Sequence, residues 1–446
     1  MELEHTNRVA FAIAEKHDIS IEEAVNQMND SSIWILADES ITNSYSKQLA
    51  FLTSVNIAHR VFLGGVCCLL PANIPNLLKL DSKYFNDLVF QSGGIITDKN
   101  PSCQAIKILI GIECYDDQCI ESVSSGWRGG VNFYNQDRIL FSDTDNNISM
   151  GPIASASLAC YYAFCKAYQI NNDGIDLNVG ISLWNLNSGK EWYQNENDGP
   201  NKLFLPRNIW ALGLGHLGQA YLWTLGLMPF NTPKETLFLL QDADIVEPEN
   251  IGSQVLCSEQ NIGRPKTRAC MNFLENLNFK TQIIEKQFLL GDSEQGWMKI
   301  YPFLLNGVDN IKTRRSIKKA SLKLFLDGAT NGKFDLFDSF TMKNISNIEK
   351  EPNILWPEED ENGSIFHKNL YQKYEKTHQC GQLTNIGIST PFVGLFSSTI
   401  VVSELLRSLN QGIKYSIVSL QLRDLNSMEA IECGIYNREL LRFAVQ

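Results

Sequence analysis

Glycines that follow an apolar run are the clearest chemical feature of this 446-residue chain. The segment NIWALGLGHLG, residues 208–218, contains Gly213, Gly215 and Gly218, and residues with helical spacing follow it. This order predicts a strand, a glycine turn and a helix. Such a turn lets backbone N–H groups and the N-terminus of the helix face phosphate oxygens. The segment therefore predicts a site for the phosphates of a nucleotide.

An acidic residue stands where the ribose of that nucleotide would lie. A second apolar run, TLFLLQDAD, ends in Asp242 and Asp244. A nucleotide-binding βαβ unit places its ribose-binding carboxylate about 20 residues or more after the glycines, at the end of its second strand. We expect Asp242 to accept hydrogen bonds from the ribose hydroxyls, whereas Asp244 could instead be a turn residue.

Further short motifs follow in a fixed order. Asn250 and Gln254 come first, then IGRPK, which ends at Lys266, then GVDN, which contains Asp309. Together with the glycine turn, this series resembles the ThiF/MoeB/E1 superfamily, the adenylating enzymes that activate ubiquitin-like proteins and sulfur carriers. The resemblance runs from about residue 208 to 412. A dinucleotide dehydrogenase has no use for these later motifs.

The resemblance implies a role in ATP chemistry for each motif. Asn250, Gln254 and Lys266 match family positions at the nucleotide, where an ammonium group stabilises the charge that develops as pyrophosphate leaves. Asp309 matches the magnesium ligand of the family, since a hard cation needs a carboxylate beside phosphate oxygens. Asn310 could equally be a helix cap. ATP and Mg²⁺ are the expected cofactors.

One family position differs in this chain. An arginine is usual three residues after the family asparagine, and Ser253 stands there. A cation that faces the γ-phosphate must then come from elsewhere. Arg264 or Arg268 could supply it, or the first half of the chain could deliver one across a domain interface, with Lys47 and Arg128 as candidates.

A cysteine before the last long apolar segment is the candidate nucleophile. Many E1-type members transfer the activated chain to a cysteine on the loop that precedes a Pro-initiated helix. Cys380 stands before such a segment, which begins near Pro391. A thiol among polar residues, near His378, can ionise and attack an acyl-adenylate. The alternative is a spectator cysteine.

The first half repeats the pattern of the second without its glycines. Set 176 residues apart, the halves align Ile33 with Ile209, and Ala37, Glu39 and Thr42 then take the three glycine positions. A carboxylate at such a turn opposes a bound anion. We therefore expect ATP to bind only the second half.

The repeat predicts an α/β fold of two tandem Rossmann-like, doubly wound domains. The first, residues 1–195, would be a degenerate and inactive copy of the adenylation domain. The second, residues 196–446, would be the active ThiF/E1-type domain. Its extra length would lie in a polar, acidic insertion at about residues 343–390, on the crossover loop.

Composition excludes several classes of function. The chain carries 38 Lys and Arg against 50 Asp and Glu, a net charge of −12, which opposes attraction to nucleic acid. No apolar run reaches the ~18 residues that a membrane helix needs. The N-terminus lacks a signal peptide pattern, so we expect a cytoplasmic protein. The 11 cysteines form no C-x-x-C pair, so neither a disulfide framework nor a structural zinc site is indicated.

These features predict an E1-like activating enzyme. It would use Mg-ATP to adenylate the C-terminal carboxylate of a ubiquitin-like or sulfur-carrier protein and then form a thioester on Cys380. Such a chain resembles the E1-like proteins of bacterial ubiquitin-like conjugation operons, several of which serve antiphage defence. An E2-like protein and a second copy of the chain are further candidate partners. The alternatives are a ThiF-type enzyme that acts on a peptide, another carboxylate or a tRNA base without a thioester, and a non-catalytic scaffold.

Overall fold

The structure is a computed structural model. The residues that it describes are 6–141, 147–170, 179–318, 322–348, 352–356, 387–435 and 438–445.

The first half of the chain forms a seven-stranded mixed sheet. Its strands are β1 Ser32–Ala37, β2 Gly65–Leu69, β3 Gly94–Ile96, β4 Lys107–Ile110, β5 Cys119–Ser125, β6 Arg128–Phe133 and β7 Gly180–Ser182. Their order is β3-β2-β1-β4-β5-β6-β7, in which the first five are parallel and the last two are antiparallel. The helices are α1 Ala10–His17, α2 Ile21–Asp30, α3 Tyr45–Val61, α4 Phe85–Gln91 and α5 Met150–Ala167.

The second half forms an eight-stranded mixed sheet. A separate pair of short strands is formed by β8 Leu205–Pro206 and β17 Ala444–Val445. The strands of the large sheet are β9 Asn208–Leu212, β10 Leu237–Gln241, β11 Lys280–Ile284, β12 Phe303–Asn306, β13 Leu324–Thr330, β14 Ser339–Asn344, β15 Ile413–Gln421 and β16 Asp424–Ile435. Their order is β11-β10-β9-β12-β13-β14-β15-β16. The helices are α6 His216–Gly226, α7 Lys266–Asn276, α8 Asp292–Ile300, α9 Ile311–Lys318, α10 Pro352–Leu355 and α11 Pro391–Leu409.

The two sheets repeat one topology, which confirms the predicted fold class. Adding eight to each strand number of the first sheet gives the order of the first seven strands of the second. The strand β1 begins at Ser32 and β9 at Asn208, which is the predicted offset of 176 residues. Both are short apolar runs, as expected for parallel strands that helices cover on both faces. The domain boundary at residue 195 stays a prediction.

The halves are held together by buried polar bonds as well as apolar packing. Trp223 donates from its indole to the hydroxyl of Thr53 at 3.2 Å. The buried guanidinium of Arg60, on α3, donates to the backbone oxygens of Val255 and Cys257 at 3.0 and 3.1 Å. Buried charges that bond backbone oxygens require one fixed geometry. The first half is therefore positioned firmly against the loops of the second.

The helix α11 is a core helix. By length and composition alone it could cross a membrane, which the lengths of the uninterrupted apolar runs did not indicate, but all of its residues are buried inside the protein. Glu404 and Arg407, both fully buried, form an ion pair within it at 2.8 Å. Its proline at the first position has no N–H to lose, so the helix can begin sharply at Pro391.

Candidate functional site

A cleft of about 700 Å³ opens at the carboxyl ends of β9, β10, β12 and β13. Ligands of open α/β sheets bind at this edge, because the loops and helix N-termini converge there. The cleft brings together most of the predicted site residues: Gly213, Gly215, Asp242, Asn250, Gln254, Lys266 and Asp309.

The three glycines of the turn have different geometries. Gly213 has a φ of +78°, a conformation that side chains rarely adopt. A Cβ on Gly218 would lie 1.9 Å from the backbone oxygen of Gly213, so this glycine lets α6 pack against the turn. A Cβ on Gly215 would meet no atom within 4 Å. Of the three, Gly215 is thus the one that leaves open space above the turn, where a phosphate could sit.

These differences predict separable effects of two alanine substitutions. Gly218→Ala should lower the free energy of unfolding by about 2 kcal/mol or more, because the backbone must move. Gly215→Ala should cost less stability but weaken ATP binding, since its methyl group enters the open space. Urea unfolding without nucleotide and calorimetric titration with ATP measure the two effects. A Gly218→Ala protein as stable as wild type, or a Gly215→Ala protein with unchanged ATP affinity, would contradict this reading.

Asp242 holds the two loops that border the cleft. Its Oδ2 accepts from the N–H of Leu214 at 2.5 Å, and its Oδ1 accepts from the N–H of Asp244 at 2.7 Å. Burial raises the pKa of this carboxyl, and the two backbone hydrogen bonds act in the opposite direction. Each oxygen of a carboxylate has a second lone pair. A ribose contact is therefore compatible with the geometry and stays a prediction.

Lys266 is the first residue of α7 and lines the cleft, with only 8% of its surface exposed. Its Nζ donates to Oδ2 of Asp244 at 3.0 Å, and its N–H donates to the backbone oxygen of the same residue at 3.0 Å. Asp244 is therefore a partner of the lysine as well as a turn residue. The pair fixes the ammonium group beside the glycine turn.

Asn250 and Gln254 are buried at the cleft and make bonds within the protein. The Asn250 Oδ1 accepts from the N–H of Glu247 at 3.0 Å. The Gln254 Oε1 accepts from the side-chain amide of Gln219, on α6, at 2.8 Å. Both side chains thus stabilise the walls of the cleft, and their contact with a nucleotide stays a prediction.

Asp309 stands exposed at the mouth of the cleft, three residues after β12. The preceding Gly307 donates to the backbone oxygen of Leu212 at 2.8 Å, which holds this loop beside the glycine turn. Asn310 caps α9, because its Oδ1 accepts from the N–H of Thr313 at 3.1 Å. Among the described residues, no cluster of three or more His, Cys, Asp or Glu could hold a metal ion alone. A single carboxylate suits Mg²⁺ that arrives with phosphate ligands, so the residues fit this metal.

One cation at the cleft, Arg8, was not predicted from the sequence. Arg8 lines the cleft, from the segment that precedes α1. Its neighbour Asn7 donates to the backbone oxygen of Arg60 at 2.9 Å, and Gly252 packs closely against Asn7. The N-terminal segment therefore lies against the loop that carries Ser253. No local motif marks Arg8, and it comes from the half of the chain that has no glycine turn.

The four cations named from the sequence lie outside the lining of the cleft in the described part of the chain. Lys47 donates to Ser40 at 2.6 Å in the first half, and Arg128 is buried and pairs with Asp198 at 3.0 Å. Arg268 pairs with Glu285 at 2.7 Å, and Arg264 is exposed. None of these four candidates lines the cleft: Lys47, Arg128 and Arg268 bond to partners elsewhere, and Arg264 lies on an exposed loop.

A second arginine of the cleft was also missed. Arg314, on α9, lies 3.1 Å from the buried carboxylate of Asp327 and donates to the backbone oxygen of Gly328 at 3.2 Å. Asp327 also accepts from Asn306 and from Trp356 at 2.7 and 3.2 Å. Burial raises the pKa of Asp327, while the arginine acts in the opposite direction. The network fixes the Arg314 guanidinium at the wall of the cleft.

His216, inside the glycine turn, supplies no positive charge. Its Nε2 lies 2.8 Å from the backbone oxygen of Thr390, just before α11. Burial lowers its pKa to about 4, so the ring is neutral near pH 7. The ring thus connects the turn to the start of α11.

Two predicted features lie outside the described residues. Cys380 and most of the insertion, residues 357–386, belong to this part of the chain. The described chain resumes at Gly387, and Gly387, Ile388 and Ser389 line the cleft. The role of Cys380 stays a prediction.

In the first half, an acidic loop takes the place of the glycine turn. Asp38 and Glu39 follow β1 directly, and Oδ1 of Asp38 accepts from the N–H of Ser40 at 3.1 Å. A cavity of about 530 Å³ lies beside this loop. The two carboxylates at this loop oppose the binding of an anion. That ATP binds only the second half stays a prediction.

Two family models match most of the chain. The BilD N-terminal domain matches residues 32–183, and the BilD C-terminal domain matches residues 205–412. The chain belongs to the BilD family of E1-like proteins. The match confirms the predicted resemblance to the E1 superfamily. The E1-like relatives also support a general E1-like activating function for this chain.

Two curated proteins and one solved structure are similar to parts of the chain. The chain is 28% identical over 432 residues to the bacterial E1-like protein BilD of Collimonas sp. (strain OK412), which covers 92% of the chain and 89% of the relative. It is 26% identical over 135 residues to the NEDD8-activating enzyme E1 catalytic subunit of Saccharomyces cerevisiae (strain ATCC 204508 / S288c), over 28% of the chain and 44% of that protein. The solved structure of E. coli MccB matches 71% of the chain and 92% of its own, at 12% identity and a TM-score of 0.37.

Proposed function

We propose that this chain uses Mg-ATP to adenylate the C-terminal carboxylate of a small ubiquitin-like or sulfur-carrier protein. The observation that carries the proposal is the convergence of the glycine turn, Lys266 and Asp309 on one cleft of an E1-like protein. In this reaction a carboxylate oxygen attacks the α-phosphorus of ATP. The bond from that phosphorus to the bridging oxygen breaks, and pyrophosphate leaves with the electron pair.

Each residue of the cleft has a task in this reaction. Backbone N–H groups at the turn and the N-terminus of α6 bind phosphate oxygens. Lys266, held in place by Asp244, stabilises the negative charge that grows on the leaving pyrophosphate. Asp309 would hold Mg²⁺, which, when bound, neutralises phosphate charge and aligns the phosphates.

The far end of the cleft would hold the tail of the carrier. It is lined by small residues from the end of β13 and from the segment before α11, among them Gly328, Ala329 and Gly387. A Cβ on Gly387 would lie 3.1 Å from the Cα of Gly332, and the N–H of Ile388 donates to the backbone oxygen of Gly332 at 2.9 Å, so these two segments form one continuous wall. The carrier would thus present its C-terminus past β13 to the α-phosphate.

Arg8 would take the place of the arginine missing at Ser253. We expect Arg8→Ala to lower the rate of ATP–pyrophosphate exchange about tenfold, because one cation facing the triphosphate is lost. Lys47→Ala is the matched control, since Lys47 lies at the cavity of the first half. Equal exchange rates for Arg8→Ala and wild type would remove Arg8 from the site.

We also propose that Cys380 displaces AMP from the adenylate and forms a thioester with the carrier. The thiolate sulfur attacks the acyl carbon, and AMP leaves with its phosphate oxygen. This proposal rests on the position of Cys380 in the sequence, shortly before the segment whose residues Gly387, Ile388 and Ser389 line the cleft.

The two steps should separate in Cys380→Ala. Pyrophosphate exchange should persist, because it precedes the attack of the thiol, whereas a reductant-sensitive adduct with the carrier on a non-reducing gel should disappear. Cys103→Ala, which removes an exposed cysteine, is the control and should retain the adduct. An adduct that persists in Cys380→Ala would move the nucleophile elsewhere. No adduct in wild type would favour an adenylating enzyme without a thioester.

A cytoplasmic location, a role in antiphage defence, an E2-like partner and self-association stay predictions from the sequence.

A further inference from the structure

Gln241, the last residue of β10, carries a buried amide that the proposed chemistry does not use. The residue is fully buried and borders the cleft beside Asp242. Its Nε2 donates to the backbone oxygen of Lys286 at 3.2 Å. Within the described part of the chain, no donor reaches its Oε1. A buried amide oxygen without a donor is costly, so a partner from the cleft would stabilise it.

The bond to Lys286 determines which atom of the amide remains. A backbone oxygen can only accept, so the amide nitrogen must face it. This contact excludes the flipped orientation, which would place two acceptors together. The atom of the side chain without a partner among the described residues is therefore the acceptor, Oε1.

The position of Gln241 along the sheet matches the position of a nucleotide base. The glycine turn, where the phosphates would lie, follows β9, and Asp242, where the ribose would lie, follows β10. With the phosphates and the ribose at these places, the base would lie over the ends of β10 and β11. Leu212 and Ile284 pair with Gln241 in the sheet and share its face. Together with Phe288, which lines the cleft, they belong to one apolar cluster. Apolar walls with one placed polar group are typical of sites that orient a flat ligand.

We propose that Gln241 selects the base of the nucleotide, because its Oε1 accepts a hydrogen bond from the exocyclic amino group of adenine. A base with an oxygen at that position would place two acceptors against each other. This inference rests on the proposed ATP chemistry and assigns Gln241 as the residue that determines base specificity.

ATP and inosine triphosphate test the assignment, since their bases differ at this edge, amino in one and oxo in the other. We expect calorimetric titration of the full chain, without carrier, to show ATP bound at least about tenfold more tightly. Gln241→Leu should weaken ATP binding and reduce the preference to less than about threefold. Gln282→Leu is the control, because the Gln282 amide lies on β11 and accepts from the hydroxyl of Tyr301 at 2.9 Å. It should keep the wild-type preference.

Equal affinities of wild type for the two nucleotides would overturn the proposal, as would a preference that survives in Gln241→Leu. If Gln241→Leu fails to fold, Gln241→Asn shortens the side chain while keeping an amide, and it should lose the preference too. A preference for ATP without carrier-dependent pyrophosphate exchange would reject the proposed function and leave base selection standing.

Discussion

Lys266→Ala is expected to slow ATP–pyrophosphate exchange about a hundredfold, close to 3 kcal/mol of transition-state stabilisation. The reason is geometric: the ammonium group is held at the cleft by Asp244, beside the glycine turn, where negative charge grows. The protein should fold, because a partly exposed ion pair contributes little to stability. Exchange of labelled pyrophosphate into ATP, measured with carrier present, gives the rate.

Arg268→Ala is the matched control for this substitution. Arg268 lies two residues further along α7, and its guanidinium pairs with Glu285 outside the cleft. Its exchange rate should stay within about twofold of wild type, an effect below 0.5 kcal/mol. A Lys266→Ala protein that exchanges as fast as Arg268→Ala would show that the lysine has no part in the chemistry.

Asp309→Ala should slow ATP–pyrophosphate exchange at least as much as Lys266→Ala does. The carboxylate is exposed at the mouth of the cleft, where it can meet a metal ion bound to phosphates. Its removal should lower exchange about a hundredfold at fixed Mg²⁺. It should also raise the Mg²⁺ concentration that gives half of the maximal rate, which a merely structural role would leave unchanged.

An exposed aspartate of the first half, Asp98, provides the control for Asp309. Asp98→Ala should leave both the rate and its Mg²⁺ dependence as in wild type. If Asp309→Ala follows the wild-type dependence on Mg²⁺, then Asp309 is not the metal ligand.

The elements that depend on local pattern could be predicted from the sequence. The apolar runs at Ile33 and Ile209 predicted strands, and their offset of 176 residues predicted that one topology is used twice. The glycines predicted the turn, because only glycine suits the φ of Gly213 and the contact between Gly218 and the turn. These features are set within a few residues, so a single sequence contains them.

The parts of the cleft that depend on packing between distant segments could not be predicted. Arg8 reaches the cleft only because Arg60 and its neighbours hold the first half against the loop at Ser253. The contact of Arg314 with Asp327 depends on how α9 lies over β13. Neither pairing has a signal in sequence spacing, since the partners belong to different elements of the fold.

Carrier-dependent exchange of labelled pyrophosphate into ATP is the most direct test of the central claim. The full chain is incubated with ATP, Mg²⁺ and a candidate ubiquitin-like protein, either with its C-terminal carboxylate free or with the same carboxylate converted to an amide. We predict that label enters ATP only with the free carboxylate. Exchange that is the same with both forms, or no exchange with any carrier while ATP binds, would contradict adenylation of a carrier protein.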